Sequence, residues 1–320
     1  MEILSIEGFS DEWDEFVWAS SGGTIFHTLK FLSYHPVSRF DFVNFAIRDR
    51  GRLICVVPGA AVGKHTGRIF RSPAGASFGG FVFADDCDLK TMQDAVAAFG
   101  EKMRDMGFAG AEIALPPLCY SRNEHQGLSF VLTSLGYRPT LREATAVVPL
   151  DTFDQNGLQS VLARNLRKAA REGLLIRSGT DPADFYRILT ANLSAKGVSP
   201  THTLEEIETL FTLYPDKLVL LEAVMEDRVV GGSLVVLCND RVGLSFYVCV
   251  NPEERKLRVT ETVLFHSIRK LRESGYRYFD LGTVSRSGRP DWGLIRFKSK
   301  FATRTYVREH YRFDLEGNES

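Results

Sequence analysis

The sequence predicts an α/β chain of two similar domains, each a mixed, mainly antiparallel sheet flanked by helices. Three observations carry that expectation. The 320 residues fit two domains at about 150 residues each. In the second half the hydrophobic period switches from helical to strand-like and back. Part of that plan recurs in the first half, with the boundary expected near Pro149, giving domains over 1–150 and 151–320.

The second half is the clearer. Between Gln155 and Arg171 the apolar residues Leu158, Val161, Leu162, Leu166, Ala169 and Ala170 recur at helical spacing, and Gly173 stops the helix. Pro182 to Ala195 reads as a second helix with Asp181 as its N-cap, and Leu204 to Leu213 as a third. Leu218–Met225, Val229–Cys238 and Val242–Val250 then read as strands joined by the turns Glu226-Asp227 and Asn239-Asp240, an antiparallel meander. Gly231-Gly232 inside the middle strand predicts a bulge or a close backbone approach. A basic loop, Asn251 to Arg258, leads to a helix over Thr260 to Glu273 that Gly275 ends. A strand over Tyr276–Leu281 is broken by Gly282, and a polar loop leads to Leu294–Phe301 and a last strand, Thr305–Phe313.

In the first half, Phe42–Arg48 and Leu53–Ala61 form a hairpin, and a helix runs from Lys90 to Met106. The stretch 102–115 reads as a basic-ended helix, a glycine with an aromatic, then a strand carrying an acid; 270–281 reads the same way. The stretches 49–60 and 226–237 both read as an acidic turn feeding a strand, so the halves resemble an internal duplication.

Composition excludes several classes. Forty acids nearly cancel 39 bases, so no global field draws nucleic acid, and DNA is not an expected partner. The acidic N-terminus lacks the pattern of a signal peptide, and no apolar run reaches membrane-span length, which predicts a cytoplasmic location. The five cysteines are scattered without a C-x-x-C pair, so buried thiols are expected and no metal. Gly63-Lys64-His65-Thr66-Gly67 has the wrong order for a phosphate loop, and Gly243-Leu-Ser245-Phe-Tyr247 lacks the closing glycine of a nucleophile elbow.

The order meander, helix, strand is that of the GNAT acyltransferase fold, and four segments narrow it. Asn165-Leu-Arg167-Lys168-Ala-Ala-Arg171-Glu-Gly173, Val229-Val-Gly231-Gly232, Phe279-Asp280-Leu-Gly282 and Gly293-Leu-Ile-Arg-Phe297-Lys298-Ser-Lys300-Phe301 resemble elements of the bacterial FemAB-like, BioF2-like transferases. In the first half, Phe26-His27-Thr28, Ser72-Pro73 and Phe78-Gly79-Gly80 resemble that family more loosely. The resemblance implies two tandem GNAT-like domains and transfer of an acyl group to an amine. In the best-known members an amino acid moves from aminoacyl-tRNA to a peptidoglycan precursor; other relatives are associated with exopolysaccharide. It implies no built-in cofactor, a donor that is aminoacyl-tRNA or acyl-CoA, and a small-molecule, glycan or peptide precursor as acceptor. A conventional CoA-dependent N-acetyltransferase and a non-catalytic precursor-binding module remain the alternatives.

Several residues are candidates for the chemistry. The segment from Pro252 to Thr260 holds no glycine, so a tight backbone cradle for pyrophosphate is not expected; Arg255, Lys256 and Arg258 offer charge instead. Arg164, Arg167 and Lys168 repeat on one helix face and read as a solvated face or an anion site. Asp280 reads as a general base or as a structural acceptor, Lys298 as the cation beside the developing oxyanion, and Tyr247 as core or as an acid near the leaving group. Trp292 lines a pocket or caps the core. Asp280 and Lys298 are expected to share one cleft, because a loop leaving a strand end and returning lies over the open end of a sheet.

Overall fold

The computed structural model describes residues 1–63, 67–124, 126–154, 158–301 and 303–315. The phosphate-loop-like Lys64–Thr66 stretch and the start of the helix expected from Gln155 lie outside them. The chain divides into two compact units: Met1–Ala144 with Ser287–Arg289 and Tyr306–Ser320, and Thr145–Arg286 with Pro290–Thr305. The cut falls inside a strand, Arg138–Pro149.

In the second unit the meander forms as its sequence dictates. Leu175–Gly179, Leu218–Met225, Arg228–Leu237 and Val242–Val250 pair antiparallel in that order. The chain then leaves the sheet, and a helix over Val259–Glu273 carries it to Tyr278–Thr283, which pairs parallel to Val242–Leu244. A parallel neighbour requires such a crossover. Tyr278, Phe279 and Asp280 pair in turn with Pro149, Val148 and Val147. The crossover helix buries Val259, Val263, Leu264, Ile268 and Leu271, a stripe at three- and four-residue spacing, against the sheet residues Val230, Val235, Leu237 and Phe279.

The paired glycines answer a close approach. A Cβ at Gly231 would lie 2.5 Å from the Cys249 carbonyl oxygen and 2.6 Å from Val259 Cγ1, and one at Gly232 2.8 Å from the Phe185 ring. One bulge adjoins them, since Ala223 opposes Gly231 while Val224 opposes Val229 and leaves Val230 as the extra residue; the second falls at Leu234/Val235. The segment after Gly293 is helical, Trp292–Lys298, capped by Asp291, which accepts from the Leu294 N–H.

In the first unit, Ile69–Ser72 pairs parallel to Gly110–Ile113, and the helix Leu89–Asp105 lies on the connection between them. The hairpin expected to run to Ala61 stops at Val57 and restarts as a separate strand at Ala60, because Pro58 has no N–H to continue the ladder. The C-terminal strand returns to this unit: His310 to Asp314 run antiparallel to Ala114 to Gly110. Its core packs Phe45, Phe70, Phe81, Phe99 and Phe108 among Val, Ile and Met side chains.

Candidate functional site

The two central strands of the second unit part soon after they meet. Only Val242, Gly243 and Leu244 have parallel partners. Beyond them Phe246 is an extra residue, since Ser245 opposes Val235 while Tyr247 opposes Leu234. A bulge of this kind bends a strand and re-aims its side chains. Ser245 to Val250 therefore turn away from Tyr278–Thr283 and line a cleft of roughly 680 Å³. Its other walls include the start of the crossover helix (Val259, Thr260, Glu261 and Leu264), Leu281, Leu294, Phe297 and Lys298, and Asn192, Ala195 and Lys196. A cleft outside the carboxyl ends of parallel strands is where α/β sheets bind ligands.

Lys298 lines this cleft, and its ammonium is held rather than free. Nζ donates to the Gly282 carbonyl at 2.9 Å and to that of Thr283 at 2.8 Å. The third N–H has no acceptor among the described residues. Burial pushes the Lys298 pKa down to about 8, against the attraction of Asp280 and Asp291. Gly282 can aim its carbonyl this way because it sits at φ +84°, a conformation that L side chains resist.

Asp280 is fully buried and does not line the cleft. Its Oδ1 accepts the Gly282 N–H at 2.7 Å and the Thr145 hydroxyl. The two expected partners therefore meet through a chain of bonds, Asp280 to Gly282 to Lys298, and not across an open cleft. A carboxylate closing on an N–H two residues ahead is an Asx turn, which gives the Phe-Asp-x-Gly segment its physical reason.

Tyr247 lines the cleft half-buried. Its hydroxyl is 2.7 Å from His202 Nδ1, and burial raises its pKa, so it stays a phenol at neutral pH. Arg255 and Arg258 also line the cleft, both exposed and without an ion-pair partner among the described residues. Arg258 stands at φ +60° just before the crossover helix and makes the turn that glycine makes elsewhere.

The other expected residues lie apart from this cleft. Lys256, Arg164 and Arg167 are exposed, Lys168 pairs with Glu172 at 3.5 Å on the same helix, and Trp292 is 69% exposed. Cys249 lines the cleft, yet burial pushes its thiol up to about 12, which keeps it protonated and a poor nucleophile. Among the described residues no cluster of three His, Cys, Asp or Glu could hold a metal, and no helix is long and apolar enough to cross a membrane.

Sequence reasoning missed Glu261. It is the one carboxylate on the cleft wall among the described residues. Its place was readable: Glu261, Leu264 and Ile268 follow the i, i+3, i+7 spacing of the buried face, where an acid is out of place.

Comparison with known proteins agrees with this geometry. Residues 158–298 match the acetyltransferase (GNAT) domain family. No curated protein matches the sequence. Among solved structures the chain is similar to FemX (TM-score 0.74, 13% identity, 98% of this chain and 97% of that one). It is similar to L-PGS from Bacillus licheniformis (TM-score 0.63, 13% identity, 99% and 95%). It also resembles a tandem GNAT protein from the clavulanic acid biosynthesis pathway (TM-score 0.59, 13% identity, 99% and 99%). At such identities the likeness is one of fold.

Proposed function

We propose, from the premise that residues 158–298 are a GNAT acyltransferase domain in a chain of FemAB-like fold, that this protein transfers an acyl or aminoacyl group from an ester or thioester to an amine. The acceptor we favour is a cell-envelope or polysaccharide precursor, and the site is the cleft beside Val242–Val250. One observation carries the reading. The same cleft holds Lys298, whose third N–H has no acceptor among the described residues, and two exposed cations without an ion-pair partner among them, Arg255 and Arg258.

Each group has a task in such a transfer. Arg255 and Arg258 hold the phosphates of the donor. When the amine attacks, negative charge gathers on the acyl oxygen, and the spare N–H of Lys298 stabilises it there. The Tyr247 hydroxyl gives a proton to the departing oxygen or sulfur. Asp280 positions Lys298 through Gly282 and does not touch substrate.

The donor class follows from what the helix start lacks. No glycine lies between Pro252 and Thr260, and an acid, Glu261, stands in the first turn of the crossover helix, where it repels pyrophosphate. Aminoacyl-tRNA is therefore favoured over CoA. The runner-up, a CoA-dependent N-acetyltransferase, draws on the same two arginines. The test is calorimetric titration of acetyl-CoA beside mass spectrometry of acceptor amines incubated with charged tRNA. Aminoacyl transfer without saturable acetyl-CoA binding at low micromolar concentration is the expected result. Tight acetyl-CoA binding would put the runner-up first, and a retained precursor without turnover would make the protein a binding module.

A further inference from the structure

A tyrosine that gives its proton to a leaving group stands for a moment as a phenolate. Burial makes that form costly at Tyr247 and raises its pKa. A phenol so placed is a slow acid unless donors wait on its oxygen. The groups gathered behind Tyr247 are such donors, and His202 is the principal one.

His202 stands outside the cleft lining, with Nδ1 2.7 Å from the Tyr247 hydroxyl. The bulge in Val242–Val250 shapes its seat. Phe246, the extra residue, packs on the imidazole at 5.0 Å between ring centres, and Tyr247 meets it edge-on at 5.8 Å and 84°. The backbone is pinned as well. The His202 carbonyl accepts the Tyr186 hydroxyl at 3.1 Å. The next residue, Thr203, is the N-cap of the helix Leu204–Leu213 and shares a capping box with Glu206. Thr201 completes the surround: its side chain, its own backbone and that of His202 all bond the phenolic oxygen and favour its ionised form, against burial. A tyrosine kept for packing needs one partner for its hydroxyl. This oxygen has several, arranged to carry negative charge.

We infer that His202 is the positioning residue of the leaving-group acid: its Nδ1–H donates to the Tyr247 oxygen, aims the phenolic proton into the cleft and stabilises the phenolate left behind. The inference rests on the transfer reading above and adds the group that makes Tyr247 an acid. The tautomer matters. With the proton on Nε2 alone, Nδ1 would accept the phenolic proton and turn it away from the substrate. The proton balance closes. The lone pair of the acceptor, as a free amine, forms the new N–C bond, and the carbonyl π pair moves to the oxygen beside Lys298. That pair returns as the C–O or C–S bond of the donor breaks, and the leaving atom takes the Tyr247 proton. The positively charged nitrogen then gives one proton to the phenolate. An amide and a free alcohol or thiol depart, and Tyr247 and His202 end as they began.

The experiment is a double-mutant cycle in the full-length protein. Cadaverine is the acceptor, alanyl-tRNA and acetyl-CoA are each offered as donor, and product is read by mass spectrometry. Tyr247→Phe should lower kcat about a hundredfold. His202→Leu should lower it about tenfold to a hundredfold, with the donor KM little changed. The double variant should be no slower than Tyr247→Phe alone, because His202 acts only through that hydroxyl. His202→Asn, whose amide nitrogen takes the place of Nδ1, should stay within a factor of about three of wild type. Losses that multiply in the double variant, an Asn variant as slow as the Leu one, or a change confined to KM would each overturn the inference, as would Tyr247→Phe at the wild-type rate. Should His202→Leu fold poorly, His202→Gln takes its place in the cycle, since its amide reaches past the Nδ1 position. Failure of the wild-type protein to acylate cadaverine from either donor would instead sink the transfer reading itself.

Discussion

Both units contain a parallel strand pair joined by a crossover helix, and among the described residues the larger cleft lies beside the pair of the second unit. In the second unit, Val242–Val250 continues six residues past Leu244, its last residue with a parallel partner, bulges at Phe246, and leaves the wall of Ser245–Val250 facing a cavity. In the first unit, Ile69–Ser72 is paired along its whole length and stops. The chain that follows folds back over the end of that strand. Ser72 Oγ donates to the Pro58 carbonyl and accepts the Gly80 N–H at 2.7 Å, and a Cβ at Gly80 would meet Leu115 and Ile113 at 2.7 and 2.9 Å. Phe78 and Phe81 are buried in the same segment. What remains is a hollow of roughly 370 Å³ on whose wall Glu112 accepts from Arg71, and from Arg312 outside it. The same connection thus yields an open cleft where the strand overruns its partner and a more closed end where it does not.

The largest effect that tests this contrast is at Lys298. Lys298→Met keeps the stem and removes the charge, and turnover should fall about a hundredfold or more with the unfolding midpoint little changed. Arg71→Met, in the filled connection, should leave turnover unaltered, because its partner Glu112 keeps Arg312. The ammonium is the working form, so wild-type turnover should also decline as pH rises through about 8, and the methionine variant should lack that decline. Wild-type turnover in Lys298→Met, or equal losses in both variants, would end the distinction between the two connections.

A smaller effect is expected at the two arginines. Replacing Arg255 and Arg258 together by Gln should raise the donor KM about tenfold to a hundredfold and leave kcat nearly unchanged, because exposed phosphate contacts act on binding and are screened by salt. Added salt should raise the wild-type KM toward that of the variant. A change confined to kcat would show that these side chains do not hold the donor.

How far the sequence foretold this depends on whether the signal is local. The helices, the meander and the close approach at Gly231 and Gly232 are written in spacing and turn residues, and they form within a residue or two of their expected bounds at Leu204–Leu213, Leu218–Met225 and Val242–Val250. Lys298 lines the cleft as its place after the loop suggested, and Tyr247, which read equally as core, lines it too. The return of Tyr306–Asp314 to the first unit is not local: a strand carries no mark of which distant strand it will pair with. Asp280 looked like a base because a strand-end acid beside glycine reads the same whether its carboxylate faces water or its own backbone; only the Gly282 bond decides. Arg164, Arg167 and Lys168 share a helix face as their spacing requires, but spacing cannot say that the face meets solvent.

The smallest expected effect lies under the filled connection, at His27. Its ring bonds Thr24 and the Gly79 backbone, and so pins the segment that closes the strand end. Burial pushes its pKa down to about 4 from 6.5, with both bonds opposing. The unfolded chain therefore takes up the His27 proton first, and stability should fall as pH drops from 6.5 toward 4. Nearby Asp14 works the other way. Burial raises it from 3.8 to about 6, although it accepts the Leu29 and Lys30 N–H groups. The folded chain takes up the Asp14 proton first, so this group adds stability as pH drops from 6 toward 3.8. Each shift corresponds to about 3 kcal/mol, so the contributions of these two groups nearly cancel between pH 6.5 and 4.5. Asp14→Asn removes the compensating group. Urea unfolding of that variant should then lose about 2 kcal/mol on going from pH 6.5 to pH 4.5, followed by tryptophan fluorescence, since Trp13 donates its ring N–H to the His27 carbonyl. His27→Gln should give the opposite slope, gaining stability on acidification. A flat response in both variants would show that neither group is held away from its ordinary titration, and that the filled end of the first unit does not depend on a neutral histidine.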